Sequence, residues 1–116
     1  MIRATELLRD GNMVGFSLSG HAGYAEEGMD IVCSAVSALT INTVNSIEAF
    51  TEDPMIVEEA GEEGGYLRFV LTDVPSQQAR LLLKSLGLGL KAIEETYGSQ
   101  HLVLERREAE ETEADV

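Results

Sequence analysis

Gly20-His21-Ala22-Gly23-Tyr24-Ala25-Glu26-Glu27-Gly28-Met29-Asp30-Ile31-Val32-Cys33-Ser34-Ala35-Val36-Ser37-Ala38-Leu39 takes the chain from the end of a strand pattern, through a glycine-rich stretch, into a long helix. Residues 20–29 hold three glycines and two glutamates with no hydrophobic period, and read as a mobile loop carrying function or binding. Asp30 suits an N-cap, because its carboxylate accepts a first-turn N–H. The helix it opens is expected to run to about Phe50. Val32, Val36, Leu39 and Thr43 form one stripe of that helix, bordered by Ala35 and Asn42. The other face, Ser34, Ser37, Thr40, Asn45, Ser46 and Glu48, carries a single charge. Solvated helix faces are richer in charge, so this one is expected to lie against a second chain or to line a site.

Upstream, residues 2–8 and 12–19 read as two strands around Arg9-Asp10-Gly11-Asn12. Asp-Gly at the centre suits a type I′ hairpin, where both central residues need positive φ. Val14, Phe16 and Leu18 alternate with Gly15, Ser17 and Ser19, predicting one buried face and one smaller, more polar face. Downstream, Pro54 opens a second strand pair, 55–60 and 66–72, around Gly61-Glu62-Glu63-Gly64-Gly65. Pro75 is expected to start a second helix that reaches Tyr97, with Gly98 as C-cap. Ala79, Leu82, Leu83, Leu86, Leu90, Ile93 and Tyr97 recur there at helical spacing. Gly87 and Gly89 cost about 1 kcal/mol each inside a helix and point to a close approach of helix to helix or helix to sheet. Residues 101–107 read as a last strand, and 108–116 as an acidic, solvated tail. The order ββαββαβ defines an α+β fold, with two helices packed on a mostly antiparallel sheet in a single domain over 1–107.

Composition narrows the function classes. A chain of 116 residues with 44% hydrophobic content can bury one core, and three Phe, three Tyr and no Trp make that core mainly aliphatic. Twenty-one acidic against 8 basic residues give a net charge of −13. That field repels phosphate backbones, so direct nucleic-acid binding is not expected, and it attracts basic partners. One cysteine allows no internal disulfide. The start, Met1 to Glu6, lacks a charged-then-apolar signal, and no apolar run is expected to approach the roughly 18–20 residues that span a bilayer. The expectation is a cytoplasmic protein with no membrane partner.

Cys33 and His21 are the chemically loaded residues of the quoted stretch. A lone cysteine is usually a small buried hydrophobe, and a histidine ending a strand is usually an exposed, inert one. Against that, an Asp30 N-cap would put Cys33 at the third helical position, near first-turn N–H dipoles that favour thiolate. His21 lies 12 residues upstream, at the mouth of the glycine-rich loop, from where a ring could reach the thiol as its base. Asp30 has two candidate roles, helix cap and partner of the imidazole. Ser37 either helps a polar site with Cys33 and Thr40 or bonds back along its own helix. His21, Glu26, Asp30 and Cys33 are all metal-ligand types, but no paired ligand spacing such as CxxC or HExxH occurs, so no metal or other cofactor is expected. His101, without a companion, reads as structural.

The segment Gly20-His21-Ala22, Tyr24, Gly28, Asp30-Ile31-Val32-Cys33 and Ala35-Val36-Ser37-Ala38-Leu39 closely resembles the ribosomal-processing cysteine protease Prp family. The likeness in length and ββαββαβ order extends over nearly the whole chain. It implies a cysteine endopeptidase of Firmicutes and related bacteria that removes the N-terminal extension of a large-subunit ribosomal protein, the twenty-seventh. By motif position it assigns His21 and Cys33 as the catalytic pair, with Gly20, Gly23, Tyr24 and Gly28 in a substrate-covering loop, and it implies a homodimer. Ser34 departs from the alanine many relatives carry, and the acidic tail is peculiar to this chain. The competing reading is a non-catalytic ribosome- or assembly-associated binding module that uses the same surface.

Overall fold

The computed structural model describes residues 1–20, 29–60 and 66–109, with the backbone alone at Met29 and Asp30. It contains β1 (Ile2–Arg9), β2 (Asn12–Ser19), α1 (Met29–Phe50), β3 (Met55–Ala60), β4 (Tyr66–Leu71), α2 (Gln77–Tyr97) and β5 (Leu102–Glu108). This is the ββαββαβ order expected from the patterning. The five strands form one sheet in the order β3-β4-β2-β1-β5, in which every neighbouring pair is antiparallel except β1 with β5.

The first hairpin closes on Arg9 opposite Asn12, so β1 runs one residue further than its hydrophobic pattern suggests. Asp10 and Gly11 carry it with φ of 53° and 81°, the two positive values a type I′ turn requires. The pairing register then shifts between Leu7 and Leu8, because Gly15 and Met13 face these neighbours and Val14 is the extra residue of a β-bulge. That extra residue overturns the expected alternation. Val14 joins Leu7 and Val70 in a small cluster, while Phe16 and Leu18 belong to the main core.

The main core lies under the helices. Phe16 and Phe69 stack with centroids 6.1 Å apart, and Val32, Val36 and Ile47 of α1 meet Ala79, Leu83, Leu86 and Leu90 of α2 around them. The two mid-helix glycines have separate reasons. A Cβ at Gly89 would sit 2.7 Å from Leu39 Cδ1 on α1, and one at Gly87 would sit 3.1 Å from Glu6 Oε1 on the sheet. One glycine thus permits helix–helix approach and the other helix–sheet approach.

Helix α2 begins two residues later than its proline suggests. Ser76 is the N-cap, its Oγ accepting the Ala79 N–H at 3.1 Å, and Pro75 is buried just ahead of it. Asp53 fixes this cap from a distance in sequence, accepting the Ser76 N–H at 2.8 Å and the Ser76 hydroxyl at 2.5 Å. Burial pushes the Asp53 carboxyl up, but these bonds and the Thr51 hydroxyl outweigh it and hold the group below its usual range. At the far end Gly98, with φ of 96°, closes the helix and donates its N–H to the Glu94 carbonyl. The Glu94 side chain accepts the N–H of Leu104 at 3.0 Å, occupying part of the open edge of β5.

Two further expectations change. The last strand begins at Leu102, with His101 buried just before it. By length and composition, Ile31–Phe50 is apolar enough to cross a membrane, although serines, threonines and asparagines interrupt every apolar run in it. Its stripe Val32, Val36, Thr40, Thr43 and Ile47 is buried in the fold.

Candidate active site

The register places the candidate site at one end of the sheet. Ser19, the last residue of β2, pairs with Arg3 near the start of β1 and with Tyr66 at the start of β4, and Tyr66 pairs with Ala60 at the end of β3. Connections 20–28 and 61–65 therefore leave from the same end. Helix α1 starts there and runs the length of the sheet, because the chain next reaches Pro54, whose carbonyl accepts the Thr72 N–H at the opposite end.

Gly20 sets the departure from β2. Its φ is +86°, and a Cβ there would lie 2.2 Å from the Met1 carbonyl oxygen. Only glycine combines that dihedral with that approach. His21 follows immediately. His21, Gly23, Tyr24, Glu26 and Gly28 lie outside the described residues, as does the Asp30 side chain, so the roles expected of them rest on the sequence.

Cys33 is described, and its surroundings correct the first reading. Helix α1 starts at Met29, so Asp30 is inside the first turn and Cys33 is the fifth helical residue. The end-of-helix field falls off within one turn, so Cys33 stands beyond the first-turn position expected for it. Cys33 is half-buried and packs against the main core. Thr40, expected to share a polar face with it, is fully buried and donates to the Val36 carbonyl at 2.8 Å. Ser37 is exposed, and Thr40 and Thr43 are the hydroxyls of α1 that bond back one turn. Cys33 thus stands on the border between the core stripe and an outer face of Ile31, Ser34, Ala38 and Ile41, where Ile31 is 59% and Ile41 51% exposed. Three-residue and four-residue spacing marked that border only roughly, since Thr40 falls on either side of it according to how the hydroxyl is satisfied.

The arrangement offers one thiol near the start of α1, the helix that follows the connection leaving β2 at Gly20. Among the described residues no group of three or more His, Cys, Asp or Glu comes together as a metal site. The family model for cysteine protease Prp matches residues 1–101. The chain belongs to the cysteine protease Prp family. It is 34% identical over 103 residues to the ribosomal processing cysteine protease Prp of Bacillus subtilis, covering 84% of this chain and 90% of that one. With the Prp of Staphylococcus aureus strain Mu50 it shares 34% over 89 residues, covering 76% of this chain and 82% of that one. Among solved structures, SMU.848 from Streptococcus mutans superposes with a TM-score of 0.81 at 30% identity, over 94% of this chain and 96% of the other. The S. aureus Prp in complex with a substrate peptide gives 0.83 at 28%, over 92% of this chain and all (100%) of the other. Membership of the Prp family makes this chain a cysteine protease and sets aside the non-catalytic reading. The acidic residues beyond 101 fall outside the family match.

Proposed function

We propose that this protein removes the N-terminal extension of a large-subunit ribosomal protein, the twenty-seventh, with Cys33 as nucleophile and His21 as its base. One observation carries the assignment: a member of a cysteine protease family with a single cysteine has a single candidate nucleophile. The relatives named as ribosomal processing enzymes support the substrate class. His21 accepts the thiol proton, and the thiolate attacks the scissile carbonyl to form a tetrahedral oxyanion. That collapses to a thioester as the leaving amine takes the proton from the imidazolium. Water, deprotonated by His21, then hydrolyses the thioester and regenerates the thiol. Backbone N–H groups near the start of α1 are the donors we assign to the oxyanion, with the 20–29 segment over the substrate.

The charge of −13 favours encounter with a basic ribosomal protein in the cytoplasm, where such proteins are made, and predicts weaker binding as salt rises. The weakly charged outer face of α1, with Ile31 and Ile41 exposed, supports a homodimer. Incubation with the extended precursor tests the chemistry. The wild type should cleave it, Cys33→Ala and His21→Ala should not, and His101→Gln should retain the activity of the folded protein. Cleavage by Cys33→Ala would sink the nucleophile, and a wild type inert on every extended precursor would sink the substrate.

A further inference from the structure

In a chain with 21 acidic and 8 basic residues, the described residues that line one cavity include three cations and no carboxylate. It measures about 240 Å³ and lies between α2 and the tip of the β1–β2 hairpin, with Arg80, Lys84 and Arg106 around Leu8 and Asn12. A second cavity of about 510 Å³ adjoins it, shares Lys84 and Arg106, and adds Lys91. Both lysines of the protein therefore gather here. Glu6 and Glu105 line that larger space, but the Glu6 carboxylate is engaged by Arg106 Nε at 2.8 Å. The Arg106 side chain is 71% exposed, so its remaining N–H groups are open to a second acceptor.

The chain itself leads acidic residues to this place. Ala109 donates its N–H to the Leu8 carbonyl at 2.7 Å, so the backbone leaves the sheet beside a residue that lines the smaller cavity. The next residues, which lie outside the described ones, include Glu110, Glu111, Glu113 and Asp115. We propose that the Arg80–Lys84–Arg106 cavity is a carboxylate-binding site and that its occupant is the protein's own acidic segment, residues 110–116. Tethering one residue away gives those carboxylates an effective concentration on the order of millimolar or above, so individually weak ion pairs suffice in the same chain. Occupancy covers Arg80, Lys84 and Arg106, three of the 8 basic residues. What remains exposed is more uniformly negative, the field that favours a basic partner.

Zero-length carbodiimide coupling on the full chain tests this, because it joins a carboxylate to an amine only where the two touch. The expected product is an amide between Lys84 and one of Glu110, Glu111, Glu113 or Asp115, in a species of monomer size. Its yield should not depend on protein concentration and should fall at least fivefold in 0.5 M NaCl and in Arg80→Glu. A second measurement uses a full-length variant with Glu110→Gln, Glu111→Gln, Glu113→Gln and Asp115→Asn. Vacating the site should let it bind a labelled hexaglutamate at least tenfold more tightly than the wild type does. No link to Lys84, a link found only in cross-linked dimers, a yield indifferent to Arg80→Glu, or equal hexaglutamate binding would each overturn the proposal.

Discussion

Alanine at Gly20 should damage both the fold and the activity, and its effect separates into two parts. The first is conformational: φ is +86°, and an L-residue in the left-handed region loses about 1–2 kcal/mol relative to its preferred conformations. The second is steric, because the new Cβ would sit 2.2 Å from the Met1 carbonyl oxygen. That neighbour is backbone, so no rotamer change relieves the contact. The end of β2 and the start of β1 have to separate by about 1 Å to approach ordinary van der Waals distance. Forced displacements of this kind cost about 1–3 kcal/mol. Gly11 isolates the first part, since its φ is +81° but a Cβ there meets nothing within 4 Å. Urea unfolding should therefore place Gly11→Ala about 1 kcal/mol below wild type and Gly20→Ala a further 1–3 kcal/mol down. Because His21 is the next residue, a shift of about 1 Å at Gly20 should also lower kcat/KM on the extended precursor by up to about a hundredfold. Gly11→Ala, at the opposite end of the hairpin, should cleave normally at a temperature where both variants are folded. Equal stability loss and equal activity in the two variants would refute the account of Gly20 as the residue that aims the chain into the site.

Asp53→Asn should lower stability at neutral pH by about 1–2 kcal/mol, because the charge-assisted bonds to Ser76 are lost. The native state holds the Asp53 carboxyl below its unfolded value of 3.8, so its contribution is present above that pH and disappears as pH falls through the lower native value. Unfolding curves of wild type and variant should therefore converge in acid, and a gap that widened there would contradict the assignment. Gly89→Ala should gain helix propensity yet press on Leu39 Cδ1 at 2.7 Å, so it should be better tolerated in a Leu39→Ala background. A double-mutant cycle with additive effects would show that the helices do not meet there. Leu83→Ala, at a fully buried position of the main cluster, should cost about 2–5 kcal/mol in denaturant titration, and a loss under 1 kcal/mol would place Leu83 outside the core.

Local chemistry makes much of this fold readable along the chain. Asp10-Gly11 specifies its own turn because both residues tolerate the positive φ of a type I′ turn, whose twist matches that of the two strands it joins. The leucines of α2 specify a buried stripe because a helix returns the same face every three to four residues, and Leu83, Leu86 and Leu90 are buried as their spacing requires. A single cysteine with a histidine 12 residues before it, in a stretch resembling a protease motif, is likewise visible without coordinates.

What the pattern misread depends on partners remote in sequence. Val14 follows the alternation of its own strand, yet the bulge opposite Leu7 and Leu8 turns it to the other face. Thr40 reads as polar but is buried, because the Val36 carbonyl of its own helix satisfies its hydroxyl. Ser76 displaces Pro75 as the start of α2 through a carboxylate 23 residues upstream. The sequence alone determined the order of elements, the one available nucleophile and the sign of the charge, since each is a property of neighbouring residues or of composition. Only the tertiary structure decided which end of the sheet holds the departures of both 20–28 and 61–65, where Cys33 stands relative to the core, and why residue 20 is glycine. Those depend on strand register and on a carbonyl 19 residues away in the chain, and backbone contacts at that separation leave no period in the sequence.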